Sequence, residues 1–270
     1  MSSTGVTTGR RVFGHGVLLF FSVTLLVPLL WALYISLRPV QDTIDDGYFS
    51  WPDHLNLDNY TQAWDQAHLA HYFGNTMHVL IPAMIVVLVL SCFLGYALTR
   101  FSLRMNVALL MLFTAGNLLP PQVIITPLFR LYLLIPFDSA SGTLYDTYTG
   151  VILIHIAFQM GFCTFVMSNF MRTIPHELTE SALIDGAGVV RQFFSIILPL
   201  CRAPLAALAT LEFTWIYNDY FWARILMPTG SKRPITSALD NLQGNFFHND
   251  NLIAAGSVLV AIPTIVVFVI

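Results

Sequence analysis

Six stretches of this chain run for about 20 residues each with almost no charge, separated by polar segments. No other feature restricts the fold as much. An α-helix rises 1.5 Å per residue, so such a run crosses the ~30 Å hydrocarbon core of a bilayer. The runs cover about 17–37, 75–99, 106–125, 150–171, 200–227 and 252–270. Barrel strands would instead alternate apolar and polar residues over ~10 positions, and these runs are apolar all round. Charged residues make up only 10% of the chain, against ~25% in a soluble domain. The expected class is an all-α polytopic membrane protein with six transmembrane helices.

Residues 1–16 are polar and hold Arg10-Arg11. A signal peptide also opens with a basic region, but its apolar core is ~7–15 residues and ends at a small-residue cleavage site. Here the run continues to Trp31-Ala-Leu-Tyr-Ile-Ser-Leu37, which reads as an uncleaved first span after a short N-terminal segment. The last run is still apolar at Ile270, so a tail is expected to follow it. Cys92, Cys163 and Cys201 lie in or beside apolar runs, and no pair has ligand spacing. They are expected to be buried free thiols, with no metal bound.

Orientation follows from basic residues close to the ends of the spans. Arg10, Arg11, Arg100, Arg104, Arg172, Arg191 and Arg202 lie on one side. Arg38, Arg130, Arg224, Lys232 and Arg233 lie on the other. The first group sits in short segments that flank helices closely. The second side also carries the acidic series Asp42, Asp45, Asp46, Asp53, Asp58 and Asp65. The N-terminus and the 172–198 loop are therefore expected in the cytoplasm, and six spans put both ends there.

That loop is the least membrane-like stretch between closely spaced runs. Thr173 and Pro175 read as a helix start, a hydroxyl cap followed by proline in the first turn. Glu177 and Glu180 fall where a helix N-terminus favours negative charge. Leu178 and Ala182, four apart, share a face, with Ser181 and Asp185 on a neighbouring one. Gly186 and Gly188 end the helix and permit positive φ. A second amphipathic run, Val189–Leu198, leads back to the membrane, where Pro199 marks the fifth span. Taken alone, the pattern fits a docking element or an ordinary amphipathic helix lying at the interface.

Polar residues inside the spans are the other candidates, because charge in hydrocarbon is costly and tends to mark a pathway or a buried pair. Glu212 lies near the middle of the fifth span, followed by Tyr217, Asn218, Asp219 and the aromatics Tyr220, Phe221 and Trp222. Carboxylates and amides suit hydroxyl groups, and aromatic faces suit a sugar ring. Asn218 and Asp219 can equally tie helices together or bond backbone. Asn117 and Gln122 bracket Pro120-Pro121, which should break or kink the third span. His78 and His155 are assigned packing or hydrogen-bond roles. There is no phosphate loop, no H-E-x-x-H and no G-x-S-x-G, so no catalytic residue is named. Active transport would then draw its energy from a partner or from an ion gradient.

The motif Ile174-Pro175-x-Glu177-Leu-x-Glu180-Ser181-Ala182-x-x-Asp185-Gly186-Ala187, with Ile197-Leu198-Pro199, resembles the EAA loop of ABC importer permeases, in particular the MalG-like subunit of carbohydrate importers. Further matches run along nearly the whole chain: Ser36-Leu-Arg38-Pro39, Asn59-Tyr60, Pro121-Gln122-Val123, Tyr217-Asn218-Asp219 and Ala254-Ala-Gly256. Ser181 stands where the family has alanine, Gly188 where it has a hydroxyl cap, and Tyr217 where tryptophan is usual. The resemblance implies the type I ABC importer permease fold, with a coupling helix over about 177–188 between spans 4 and 5. It implies that Glu177, Glu180, Ser181, Ala182, Asp185, Gly186, Ala187 and Pro199 serve the ATPase contact. It also implies a second, MalF-like permease subunit, an ABC ATPase dimer that binds ATP and Mg, and an extracytoplasmic sugar-binding protein. That protein would dock near the 38–74 loop with Trp51 and Trp64. This chain would hold no cofactor and bind no nucleic acid.

The competing function is an ion-coupled secondary transporter, with Glu212, Asp219 and the Pro120 region as its broken-helix site. No matching broken segments recur in the two halves, and the glycine-terminated loop helix has no natural role there. A membrane-embedded enzyme would need a His/Glu or Ser/His constellation on one membrane side, and none is present.

Overall fold

The computed structural model describes residues 8–52, 54–101, 104–243 and 249–269. Asp53, Ile270 and the side chains of Arg10 and Arg11, used above, lie outside the described set. The helices are α1 (Thr8–Ser36), α2 (Val40–Asp46), α3 (Asp58–Gln66), α4 (Leu69–Arg100), α5 (Asn106–Leu118), α6 (Pro121–Leu134) and α7 (Tyr148–Arg172). They continue with α8 (Glu177–Ile184), α9 (Val189–Gln192), a π-helical turn Phe193–Ile197, α10 (Leu198–Leu200), α11 (Arg202–Tyr217), α12 (Phe221–Leu226) and α13 (Asp250–Val269).

Four helices are long and apolar enough to cross a membrane alone: Val12–Ser36, Leu69–Arg100, Tyr148–Arg172 and Asp250–Val269. Two bent pairs qualify when each is taken as one span. Asn106–Asn117 turns 97° into Pro121–Leu134, and Val189–Leu200 turns 72° into Arg202–Tyr217. Up to six spans result. Several limits differ from those read off the sequence. The first two helices begin earlier, at Thr8 and Leu69. The double proline does break the third span, but helix resumes at Pro121 and runs to Leu134, where a loop was expected from residue 127. Pro127 lacks one backbone donor, and the apolar run on both sides of it outweighs that loss. The fifth span is not continuous over 200–227. It bends at Cys201, and Asn218–Tyr220 separate α11 from α12.

The chain forms two compact units: residues 1–69 with 239–262, and residues 70–238 with 263–270. In the first, Arg38 is fully buried. Its Nη1 donates to Gly47 O at 2.9 Å, its Nη2 to Ser50 Oγ at 2.6 Å, and its guanidinium lies 5.5 Å from the Tyr34 ring. Two buried amides close the end of α1. Asn59 Nδ2 donates to Ser36 O and Arg38 O, and Asn251 Nδ2 donates to Ile35 O and Arg38 O. Ser36 O and Arg38 O gain their partners this way, and Ile35 O gains a second one beside the Arg38 N–H at 3.2 Å.

In the second unit, α7 is the central element, packed by α5, α11 and α12. Its inner face joins Cys163, Met167 and Met171 to Phe193, Ile197, Cys201 and Leu208. All three cysteines are buried free thiols. The α5–α7 approach depends on Gly161. A Cβ there would overlap the Phe113 carbonyl oxygen and come within 2.5 Å of Asn117 Nδ2. Backbone cannot yield as a flexible side chain can. Gly161→Ala is therefore expected to destabilise the purified protein by about 1–3 kcal/mol. Gly74→Ala, where an added methyl meets nothing within 4 Å, is the comparison. Equal melting temperatures for the two variants would remove Gly161 as the determinant of this packing.

Candidate functional site

The loop between α7 and α11 departs from the expected capping and keeps the expected helix. Thr173 does not start α8. Its Oγ1 donates back to Phe170 O at 2.7 Å and closes α7. Ile174 precedes proline and so avoids helical geometry, which separates Thr173 from the next helix. α8 starts after His176, with Glu177 and Glu180 in its first turn. It ends at Ile184, four residues short of the expected Gly188. There Gly186 takes φ +75°, its N–H reaches Leu183 O at 3.0 Å, and Ala187 N–H reaches Ala182 O at 2.8 Å. This is a Schellman closure, and it requires a residue tolerant of the left-handed region. Gly188 has φ −65°, so backbone geometry makes no such demand there.

Two side chains tie the loop to the bundle. Gln192 Nε2 donates to Ala187 O at 2.8 Å, and Arg100 Nη2, at the end of α4, donates to Ile174 O at 3.1 Å. A recess of about 210 Å³ lies between them, with His176, Glu180 and Tyr96 in its wall. On α8 itself only Thr179 and Ala182 are buried. Glu177, Leu178, Glu180, Ser181 and Asp185 are exposed, as are Leu183 (65%) and Ile184 (87%). Two large aliphatic residues at these exposures, on a helix anchored at both ends, form an apolar tip held rigidly outward. Ala187 is buried, and Pro199 lies within α10, ahead of the bend at Cys201. The turn before this proline is the π-helical one, as is common where an α-helical ladder is interrupted.

A second locus lies among α5, α6, α7 and the α11–α12 break. It is a cleft of about 620 Å³. Of the six pathway candidates, Asn117, Gln122 and Asp219 line it. Asp219 is buried and set by the helix break. Its Oδ1 accepts from Trp222 N–H and its Oδ2 from Ala223 N–H, both at 3.1 Å, so the carboxylate caps α12. Its Oδ2 also lies 3.4 Å from His155 Nε2 on α7. Asn218 is exposed, donating to Thr214 O at 2.9 Å and Thr264 Oγ1 at 3.3 Å. Glu212 and Tyr217 are sealed in the bundle at 0% exposure and do not reach the cleft. Glu212 Oε1 accepts from the Cys163 thiol at 3.0 Å, a partner that their separation in sequence concealed.

Three residues of this region had no assigned site role. His155 and Gln159 stand one turn apart on α7 and both line the cleft. Their i, i+4 spacing on an apolar helix is the signal that could have found them. Asp146 is the third. Its Oδ2 accepts from Lys232 Nζ at 2.9 Å and from Thr229 Oγ1 at 2.8 Å, and its carbonyl also accepts from Lys232. Burial pushes this carboxyl up, but hydrogen bonds from Lys232 and Thr229 outweigh it and hold it below its ordinary value of 3.8. Among the described residues no group of three His, Cys, Asp or Glu side chains is placed to hold a metal ion.

Residues 88–270 match the family model described as "Binding-protein-dependent transport system inner membrane component". The diacetylchitobiose uptake system permease protein NgcG of Streptomyces coelicolor is 33% identical over 222 residues, covering 82% of this chain and 71% of its own. The melibiose/raffinose/stachyose import permease protein MelC of Bacillus subtilis is 28% identical, over 90% of this chain and 85% of its own. In fold, the chain is similar to a subunit of a bacterial ABC transporter involved in the import of the acidic polysaccharide alginate. The TM-score is 0.80 at 20% identity, over 98% of this chain and 97% of that one.

Two outcomes follow from the geometry. Asp219→Ala removes the α12 cap and is expected to cost about 0.5–2 kcal/mol in denaturant unfolding, with Asp219→Asn losing less because it keeps one acceptor. Asp146→Ala frees the 228–233 segment, so trypsin should cut after Lys232 faster than in the parent protein. Because the Asp146 carboxyl is held low, its contribution is complete above its unfolded value and is lost as pH falls through the folded one. Hydrogen-exchange protection of 228–233, corrected for the intrinsic rate at each pH, should therefore fall only below about pH 4.

Proposed function

Since the chain belongs to the family of binding-protein-dependent transport system inner membrane components, we propose that it is the permease subunit of an ATP-driven importer of sugars, with a di- or oligosaccharide as cargo. ATP hydrolysis belongs to a separate subunit. The working assembly contains a second permease, an ATPase and an extracytoplasmic binding protein. Here the second permease is MalF-like, and the ATPase is a dimer that binds ATP and Mg beneath the pair. The chain lies in the cytoplasmic membrane with its N-terminus inside, in keeping with the short basic segments that flank the spans on that side.

The observation that carries this reading is the outward tip of α8. Leu183 and Ile184 stand exposed on a helix that Arg100 and Gln192 fasten to the bundle. An apolar tip on a braced helix fits a cleft in a cytoplasmic partner, as in helix-in-groove recognition. Glu177, Glu180, Ser181, Ala182, Asp185, Gly186, Ala187 and Pro199 make up this coupling segment. Closure of the ATPase dimer on ATP would push α8 as a rigid body, and the bends at Cys201 and Pro120 would absorb the movement. The sugar would pass along the face that carries Asn117, Gln122 and Asp219, with Asn218 beside it. Glu212 and Tyr217 would hold that face from behind.

Glu180→Lys and Gly186→Asp test the coupling in the complete complex. The first reverses charge beside the tip, and the second forces a side chain into a positive-φ position. Each is expected to lower sugar-stimulated ATP hydrolysis about tenfold, equivalent to ~1.4 kcal/mol of coupling. Unchanged hydrolysis together with unchanged co-purification of the ATPase would end the docking assignment. Uptake that persists without ATP and collapses with the ion gradient would instead favour a secondary transporter.

A further inference from the structure

The cleft beside α7 contains polar atoms that the chain leaves without partners. His155 is 97% buried, being 3% exposed, and its Nε2 makes no hydrogen bond; the Asp219 carboxylate lies 3.4 Å away. One turn along the same face, Gln159 Oε1 is buried and also unpaired. Buried polar atoms are paired in nearly all native interiors, so two unpaired ones on one cleft wall are open to a water or a ligand as partner. The walls around these atoms are aromatic. Phe158 and Trp222 lie 5.4 Å apart between ring centroids, and Phe162 and Trp215 lie 5.3 Å apart. A cleft of about 620 Å³ falls within the ~300–1,000 Å³ of small-molecule sites, and it shows their usual make-up of apolar walls with a few convergent polar groups.

The charge of the lining narrows the occupant further. Asp219 is its only carboxylate, and no lysine or arginine lines it. Whichever protonation state His155 takes, the lining has no net positive charge to offer. With His155 neutral, an anionic ligand would meet the Asp219 carboxylate at short range in a poorly solvated site; with His155 protonated, the pair has no net charge with which to attract it.

We infer that this cleft is a sugar subsite built by this subunit itself, that it receives an uncharged glycosyl unit, and that Asp219 disfavours uronates there. Gln159 Oε1 accepts from a ring hydroxyl, and His155 Nε2 pairs with a second one. The aromatic walls cover the apolar face of the ring. Asp219 has a double role: it caps α12 and so fixes Trp222, and its charge sets the selectivity. This inference rests on the sugar-importer reading and adds to it where the cargo is read and which class of cargo is accepted.

The test uses the complete complex in proteoliposomes with its binding protein. Uptake of melibiose, trehalose, N,N′-diacetylchitobiose and a dimannuronate is measured as kcat/KM for the sugar-loaded binding protein. The wild type should take up at least one neutral disaccharide in an ATP-dependent manner and discriminate against the dimannuronate. Gln159→Leu should lower neutral-sugar kcat/KM about three- to tenfold, the size of one neutral hydrogen bond, while all subunits co-purify as before. Because Gln159 Oε1 makes no hydrogen bond within the chain, this variant of similar size removes no hydrogen bond of the fold from that atom. Asp219→Asn should narrow the neutral-to-uronate ratio, a change that a purely structural role of Asp219 would not produce. Leu153→Ala, on the outward side of α7, should leave both values unchanged. Wild-type kcat/KM in Gln159→Leu would overturn the subsite, and equal wild-type uptake of dimannuronate would overturn the charge argument. A wild type that moves no sugar with ATP would instead defeat the importer reading, and the subsite with it.

Discussion

A helix that starts in a buried place frees backbone N–H groups that need partners there, and the second unit is arranged around one such start, that of α12. Between Tyr217 and Phe221 the fifth span stops, and Asp219 receives the freed N–H groups of Trp222 and Ala223. A carboxylate can serve here because it accepts twice and because His155 stands beside it. The cap fixes α12 against α7, which brings Trp222 over Phe158 and opens the cleft beside them. Without the break, residues 218–222 would continue along one helix, and Asp219 would have no backbone partner to face. The residue that a hydropathy reading marks as costly is thus the one that permits the architecture.

The same requirement recurs in the first unit with different chemistry. The chain leaves α1 at Ser36, where the Ile35 carbonyl keeps only the Arg38 N–H and those of Ser36 and Arg38 need side-chain donors. Asn59 and Asn251, far apart in sequence, donate to them. Arg38 is buried just beyond, with carbonyl and hydroxyl acceptors and the Tyr34 ring in place of a carboxylate. Carbonyl dipoles and an aromatic face can stabilise a guanidinium without a second buried ion. Both units therefore set buried polar side chains at helix ends, where the helix backbone cannot supply its own partners.

The loop between α7 and α11 has the opposite character, being tied by side-chain hydrogen bonds at both ends of α8 and apolar where it faces outward. The Schellman closure at Gly186 and the two side-chain ties make the loop a strut. A strut suits force transmission because displacement at Leu183 and Ile184 cannot be absorbed by a loose connection. The regular α-helical ladder is interrupted beyond α8, at the π-helical turn and the 72° bend at Cys201.

The sequence by itself determined the class of the fold, the number of apolar runs and the presence of a helix over about 177–184 between the fourth and fifth of them. These follow from local properties: hydrophobic run length, proline placement and a glycine at a helix end. Gly186 is the clearest case, because a left-handed closure favours glycine in any neighbourhood. The sequence also pointed to Asn117, Gln122 and Asp219 by their polarity alone, and all three line one cleft. Tertiary structure decided the rest. Local chemistry could not show that Glu212 pairs with Cys163 and lies away from the cleft, because that contact joins two helices 49 residues apart. Nor could it show that Thr173 ends one helix instead of starting another. His155 and Gln159 read as ordinary interior residues of an apolar helix. Only the packing of α5, α11 and α12 on α7 left their polar atoms facing a cleft without partners.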